Sequence, residues 1–230
     1  LKDAAKLQEE EALFAFKRGY SKHKRPEPLF TAEDAEAILG LVESHPLEKR
    51  VVIFPSLSII FHNAGHILGS AFIEARVKGH SQEKTIVFSG DLGRNNDPLL
   101  YPPASIDHAD VLLIESTYGD RINPMQKIEN DLINIVQEAN KNNGAIVIPA
   151  FAVGRTQNLI YYFHKLMENK SIPTLPIYID SPMAIRVTDL YETYHEINKI
   201  EVKHELGKHI SLFDAPNIHY CNTQEMSKSL

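Results

Sequence analysis

With 230 residues, 43% of them apolar and 23% charged, the chain is long enough to bury a real core and has the balance of an ordinary globular protein. A net charge of −6 argues against a protein that grips nucleic acid through a broad basic surface, so any polyanion contact must be local. The single cysteine, Cys221, excludes an internal disulfide and a cysteine-type zinc site, and no run of roughly 18 to 20 apolar residues is present to cross a membrane as a helix.

Taken in chain order, residues 2–18 place Ala5, Leu7, Leu13, Phe14 and Phe16 among Lys and Glu at helical spacing, and Gly19 stands where a helix ends. This segment has no signal-peptide apolar region, which points to the cytoplasm. A short basic run, Lys22, Lys24 and Arg25, reads most simply as a solvated loop. Thr31 and Asp34 ahead of Ile38, Leu39 and Leu41 predict a second, capped helix that ends near Gly40. Strands follow at Val51–Phe54, Leu57–Phe61, Ala71–Val77 and Thr85–Phe88, the last two joined as a hairpin by GHSQEK. The wholly apolar run Val111–Ile114 predicts a buried strand.

After residue 120 the order alternates. Asn123 and Pro124 supply an N-cap and a first-turn proline for a helix with the stripe Ile128, Leu132, Ile135, Val136 and Ala139. A strand at Ala145–Pro149, a helix from Arg155 to Glu168, a strand at Ile177–Ile179, a helix after Pro182 and a strand at Ile218–Cys221 complete the series. Such alternation predicts a parallel sheet covered by helices, with a domain boundary near residue 118.

Three strand ends carry chemically useful side chains. His66, in FHNAGHILGS, sits on a loop flanked by Gly65 and Gly69, where an imidazole can reach a metal; taken alone, it reads more simply as a surface or core histidine, and His62 has no better claim. Asp91, in VFSGDLG, follows a strand and is either a metal or base carboxylate or an ordinary turn residue. Glu115 ends the apolar run in VLLIESTYGDR. His, Asp and Glu at three strand ends, in that order, suggest one site at one edge of a sheet.

The segments AGHILGSA (64–71), FSGDLGR (88–94) and ESTYGDR (115–121), in this order, resemble the later metal motifs of the metallo-β-lactamase superfamily and the first acidic motif of its β-CASP branch. IPAFAVGRTQ (148–157), YIDSPMA (178–184) and GYSKHK (19–24) are similar to the same branch, as found in RNA nucleases of the bacterial and polyadenylation types. The resemblance implies an α/β architecture: residues 1–118 as the C-terminal portion of a metallo-β-lactamase αββα sandwich, and 119–230 as the first half of a β-CASP domain. It further implies that His66 binds one metal, that Asp91 bridges two zinc ions, and that Glu115 orients a bound group, in a two-metal hydrolysis of single-stranded RNA.

The family's principal motif, His-x-His-x-Asp-His, is expected before residue 1 and its later histidines after residue 230. The chain therefore reads as an internal piece that carries part of the metal site and lacks activity by itself. Arg155 and Thr156 after Gly154, and Ser181 before Pro182, open helices and either contact phosphate or simply cap. Tyr118 either stacks on a base or packs at its strand end. His164, His195, His204, His209 and His219 share no spacing and read as structural or solvated; Phe163 and Met167 read as core. Two other functions stay open: a non-catalytic RNA-binding scaffold, and a small-molecule ester or thioester hydrolase on the same scaffold. A homodimer that covers exposed sheet edges is a further expectation.

Overall fold

The computed structural model describes residues 1–79, 82–122, 127–201, 203–205 and 208–230, and within 203–205 and 208–210 the backbone alone. The chain divides into two compact units, Leu1–Pro46 and Leu47–Leu230.

In the first unit, α1 (Lys2–Arg18) ends at Gly19, whose φ of 69° takes the left-handed cap that a side chain would resist. The predicted capped helix is α2 (Ala32–Ala37). The Thr31 hydroxyl accepts from Asp34 N–H at 3.1 Å, and the Asp34 carboxylate accepts from Thr31 N–H at 2.8 Å. A 3-10 turn continues through Ile38–Leu41. Among the apolar residues of this unit only Ala5 and Ala35 are buried, while Leu7, Leu13, Phe14 and Phe16 are more than half exposed.

The second unit opens with a sheet ordered β1 (Arg50–Phe54), β2 (Leu57–Asn63), β3 (Ala71–Lys78), β4 (Glu83–Phe88) and β5 (Val111–Leu113). The first four strands are antiparallel, and β5 lies parallel to β4 with Ile86 opposite Val111 and Phe88 opposite Leu113. The β3–β4 hairpin is as predicted, although His80 and Ser81 of its turn lie outside the described residues. Ala64, Phe72 and Val87 form the buried patch on one face, under Leu92, Ala104, Ile106 and Ala109. The expected burial of Val111–Ile114 is corrected: these residues are 48% to 62% exposed. β5 is the last strand of the sheet, and an apolar run becomes buried only where another layer covers it.

Then come α3 (Ile128–Lys141), α4 (Arg155–Glu168), β6 (Ile177–Ile179), α5 (Pro182–Thr193), β7 (Lys203–Glu205), β8 (Lys208–Ile210), β9 (Ile218–Tyr220) and α6 (Gln224–Lys228). β6 and β9 pair in parallel, as alternation requires; β7 and β8 form an antiparallel hairpin that the sequence did not announce. The expected strand at Ala145–Pro149 joins no ladder among the described residues, and Val147 is 89% exposed. Asn123 and Pro124 lie outside the described residues. In α3, Leu132 and Val136 are buried, whereas Ile135 faces outward and Ile133 packs in its place.

Two cores hold these elements. Leu132, Val136, Phe163, Leu166 and Ile172 form one, with Met167 packed beside them. The other joins Ile160, Ile179, Ala184, Tyr191, Ile200, Phe213 and Ile218 to Leu99 and Leu100, which come from the loop between β4 and β5. Asp97 shapes that loop, accepting from the N–H groups of Leu99 and Leu100 at 2.9 Å and from the Asn158 amide at 3.0 Å. Lys199 N–H donates to the Leu99 carbonyl at 2.7 Å. Burial of each leucine contributes roughly 1.5–3 kcal/mol, so the loop that leaves Asp91 is anchored on α4. The position near residue 118 falls inside this second unit, which is stitched across it by those contacts.

Candidate functional site

His66 follows β2 on a loop fixed from inside. The Ser70 hydroxyl accepts from the N–H groups of His66 and Ile67 at 3.0 and 3.1 Å, and Ala64 N–H donates to the Ser70 carbonyl at 3.0 Å. Gly65 has φ of +63°, and a Cβ there would stand 2.6 Å from the Tyr101 carbonyl oxygen. A Cβ on Gly93 would fall 1.7 Å from the Gly65 carbonyl oxygen and 2.6 Å from the His66 nitrogen. Only glycine permits that approach, and Gly93 N–H seals it by donating to the Ala64 carbonyl at 2.8 Å. The loop carrying Asp91 is thereby pressed against the loop carrying His66.

Asp91 leaves β4 through Ser89 and Gly90. Ser89 joins the third strand end to the second: its N–H donates to the Leu113 carbonyl at 2.9 Å, and its hydroxyl accepts from Glu115 N–H at 2.9 Å while donating to the Gly90 carbonyl. Glu115 is half-buried, and its carboxylate accepts from Thr117 N–H at 2.9 Å. The Thr117 N–H and hydroxyl hold that carboxyl below its usual range against the effect of desolvation, helped by Leu92 N–H and by the charge of His66. Glu115 is therefore an ionised acceptor beside the other two residues.

His66 Nε2 and Asp91 Oδ2 stand 3.9 Å apart, too far for a hydrogen bond, and both side chains are open to solvent. Two donors on one tetrahedral zinc ion stand about 3.3 Å apart, so this imidazole and carboxylate would have to close by about 0.6 Å to share one ion. Among the described residues no group of three or more His, Cys, Asp or Glu is placed to hold a metal, and His66 with Asp91 is a pair only.

His62 is settled differently. Its ring is buried, stacked on Phe72 with centroids 4.9 Å apart, and its nitrogens face Glu48 at 2.7 Å and Glu74 at 3.2 Å. Burial favours the neutral form of Glu74, yet the hydrogen bonds from Arg76 and His62 prevail and hold its carboxyl below the usual range. With both nitrogens occupied, His62 ties β2 to β3 and is no ligand.

The helix N-termini bear on the same region. Gly154, with φ of +79°, is close enough to the His66 loop that a Cβ there would meet Ile67 Cγ2 at 4.0 Å. Arg155 is exposed. Thr156 requires a correction: it is buried, and both its N–H and its hydroxyl donate to the Phe151 carbonyl, at 3.3 and 2.8 Å, which leaves no donor for phosphate. Ser181 caps α5 by accepting from Ala184 N–H at 3.2 Å. Tyr118 is 58% exposed, with the Arg121 guanidinium 5.6 Å over its ring. His195 bonds the Glu192 carbonyl and His219 stacks on Tyr178. The side chains of His204 and His209 lie outside the described set.

Sequence reading missed the residues that position this site: Ser70, Ser89, Asp97 and Gln157. Gln157 is wholly buried; its carbonyl accepts from Gly154 N–H at 2.8 Å and its amide donates to Ala152, Ala184 and Thr188, so it clamps the start of α4 to α5. For Ser70 and Ser89 the local signal was a small polar residue beside a glycine, whereas Asp97 and Gln157 carried none. No described helix is long and apolar enough to cross a membrane.

Residues 156–230 match the Beta-Casp domain model. The chain is 39% identical over 167 residues to a protein of Thermus thermophilus named ribonuclease TTHA0252, covering 72% of this chain and 37% of that protein. It is 32% identical over 188 residues to an RNase J-like protein of Methanocaldococcus jannaschii (80% and 44% covered), and 31% identical over 172 residues to cleavage and polyadenylation specificity factor subunit 3 of Dictyostelium discoideum (72% and 21% covered). The chain thus spans less than half the length of these curated relatives. Its β-sheet with His66, Asp91 and Glu115 after β2, β4 and β5, followed by the Beta-Casp match, makes it a member of the β-CASP branch of the metallo-β-lactamase fold.

Proposed function

We propose that the protein is a metal-dependent hydrolase of RNA phosphodiester bonds. The observation that carries this reading is the pairing of His66 Nε2 and Asp91 Oδ2 at 3.9 Å with the ionised Glu115 beside them. The names of the relatives, a ribonuclease and an RNase J-like protein, support RNA as the substrate. His66 and Asp91 are the residues that would hold zinc, and the metal would supply Lewis acidity toward water and the scissile phosphate.

Within this chain, each part has its own task. Gly65 and Gly93 hold the two ligand loops together, which fixes the donor atoms before substrate arrives. Glu115, kept ionised by Thr117, accepts a proton or hydrogen bond from a group at the ligands. Arg155 reaches a phosphate oxygen of the strand, and the Ser181 hydroxyl, which accepts from Ala184, keeps its own proton to donate to another. Residues 1–118 belong to the metallo-β-lactamase domain and 119–230 to the β-CASP domain, working on single-stranded RNA in the cytoplasm. The exposed β5 edge supports self-association of this chain, which sedimentation tests.

The deciding experiment replaces Asp91 by Ala in the intact protein. Cleavage of a labelled single-stranded RNA should drop about a thousandfold, as expected for loss of several kcal/mol of metal-based stabilisation, and bound zinc should fall with it while the unfolding midpoint stays put. Full cleavage by the variant would remove the mechanism.

A further inference from the structure

The stretch KRGYSKHKR, residues 17–25, carries Lys17, Arg18, Lys22, Lys24 and Arg25 with no acid among them, in a chain whose net charge is −6. Elsewhere Lys2, Arg76, Lys84, Arg121 and Lys165 are each set against a carboxylate. Lys17, Arg18, Lys22, Lys24 and Arg25 are all exposed, and none is ion-paired among the described residues. Lys17 and Arg18 have a local duty in the last turn of α1, where cations oppose the helix dipole. Lys22, Lys24 and Arg25 have none.

An aromatic platform accompanies the charge. The left-handed turn at Gly19 brings Tyr20 back onto Phe14, edge to face with centroids 5.7 Å apart, and the Arg18 guanidinium lies 5.5 Å over the Phe14 ring. Tyr20 stays 64% exposed in this arrangement, so its ring is held in place while much of its surface remains open. Pro26 and Pro28 stiffen the chain that follows, which lowers the cost of ordering the segment on a ligand. Unpaired cations beside a held, open aromatic ring are the two elements by which proteins take single strands without sequence preference: the cations neutralise phosphates and the ring stacks on a base. On a molecule of negative net charge, an isolated positive segment also steers a polyanion to itself.

We propose that Lys17–Arg25 is a docking segment for single-stranded RNA, with Lys22, Lys24 and Arg25 on phosphates and Tyr20 under a base. This rests on the reading of RNA as the substrate and adds a contact that the metal motifs do not supply.

The test measures binding of a fluorescein-labelled oligouridylate by anisotropy across a salt series, with the intact protein carrying Asp91→Ala to prevent cleavage. Substituting Lys22, Lys24 and Arg25 together by Ala should reduce the slope of log affinity against log salt by about 2, which is about a hundredfold weaker binding at roughly 0.1 M salt and little difference near 1 M. Tyr20→Leu should weaken binding roughly tenfold at every salt concentration. In protein with Asp91 intact, the triple variant should raise KM and leave kcat unchanged. An unchanged slope overturns the proposal. So does an equal loss when three exposed cations elsewhere, Lys78, Lys141 and Lys228, are replaced by Ala, since net charge alone would then be the cause. A parent that cuts RNA with a triple variant that binds like it refutes only this docking segment, whereas a parent that neither binds nor cuts RNA refutes the substrate reading as well.

Discussion

Two histidine–carboxylate pairs lie four residues apart in this chain and behave oppositely. His62 is buried on Phe72 with a carboxylate against each ring nitrogen at 2.7 and 3.2 Å, and Glu74 is further bonded to Arg76 at 2.6 Å. His66 stands on an open loop, 3.9 Å from an Asp91 that is itself largely exposed. Both set an imidazole against carboxylate, but the His62 ring has both nitrogens satisfied and the His66 ring has been left open while its backbone is fixed. A satisfied pair contributes stability, and an unsatisfied pair on a rigid loop is free to bind something else.

Mutation can sharpen that contrast, beginning with the largest effect. Asp91→Ala should reduce cleavage by about three orders of magnitude with little change in stability, because among the described residues its carboxylate makes no hydrogen bond and only faces His66 at 3.9 Å. Gly93→Ala comes next: its Cβ would overlap the Gly65 carbonyl oxygen, backbone that cannot swing aside, so the two ligand loops must separate. A loss of about 4 kcal/mol in urea unfolding is expected, at the high end for a point change, with zinc affinity falling in parallel. Glu74→Gln should do the reverse of Asp91→Ala, costing about 2 kcal/mol through the weakened bonds to His62 and Arg76, while cleavage persists. If Glu74→Gln instead stops cleavage with its stability intact, the two pairs have been assigned the wrong way round.

The smallest effect is the dependence on pH. The Glu74 carboxyl is held below its ordinary value of 4.5 in the folded protein. Its contribution is therefore fully present above that value and is lost as pH falls through the lower folded value. Wild type should lose stability over that acid range more steeply than Glu74→Gln, and denaturant titrations at stepped pH would show parallel curves if the bonds to Arg76 and His62 are unimportant.

Much of the fold was legible from neighbours in sequence. α4 spans Arg155–Glu168 as expected, Gly19 and the Thr31–Asp34 pair cap their helices as expected, and the four antiparallel strands fall where apolar alternation placed them. Two of the three strand-end residues, His66 and Asp91, stand 3.9 Å apart. Periodicity, capping and turn chemistry are decided within a few residues, which is why one chain without a partner displays them.

Tertiary structure decided the rest. Val111–Ile114 had the composition of a buried strand, yet burial depends on what covers a strand, and β5 is an edge. Ala145–Pro149 had the composition of a strand too, but a ladder needs a second strand in register. Thr156 resembled a phosphate donor until the Phe151 carbonyl took both its protons. That Gly93 must be glycine, that Leu99 and Leu100 belong to the core of α4 and α5, and that His62 is structural while His66 is free all depend on segments distant in sequence meeting at a few ångströms. The sequence by itself named the chemical groups and the local elements; only the packing of remote segments determined which of those groups were satisfied and which were left open to react.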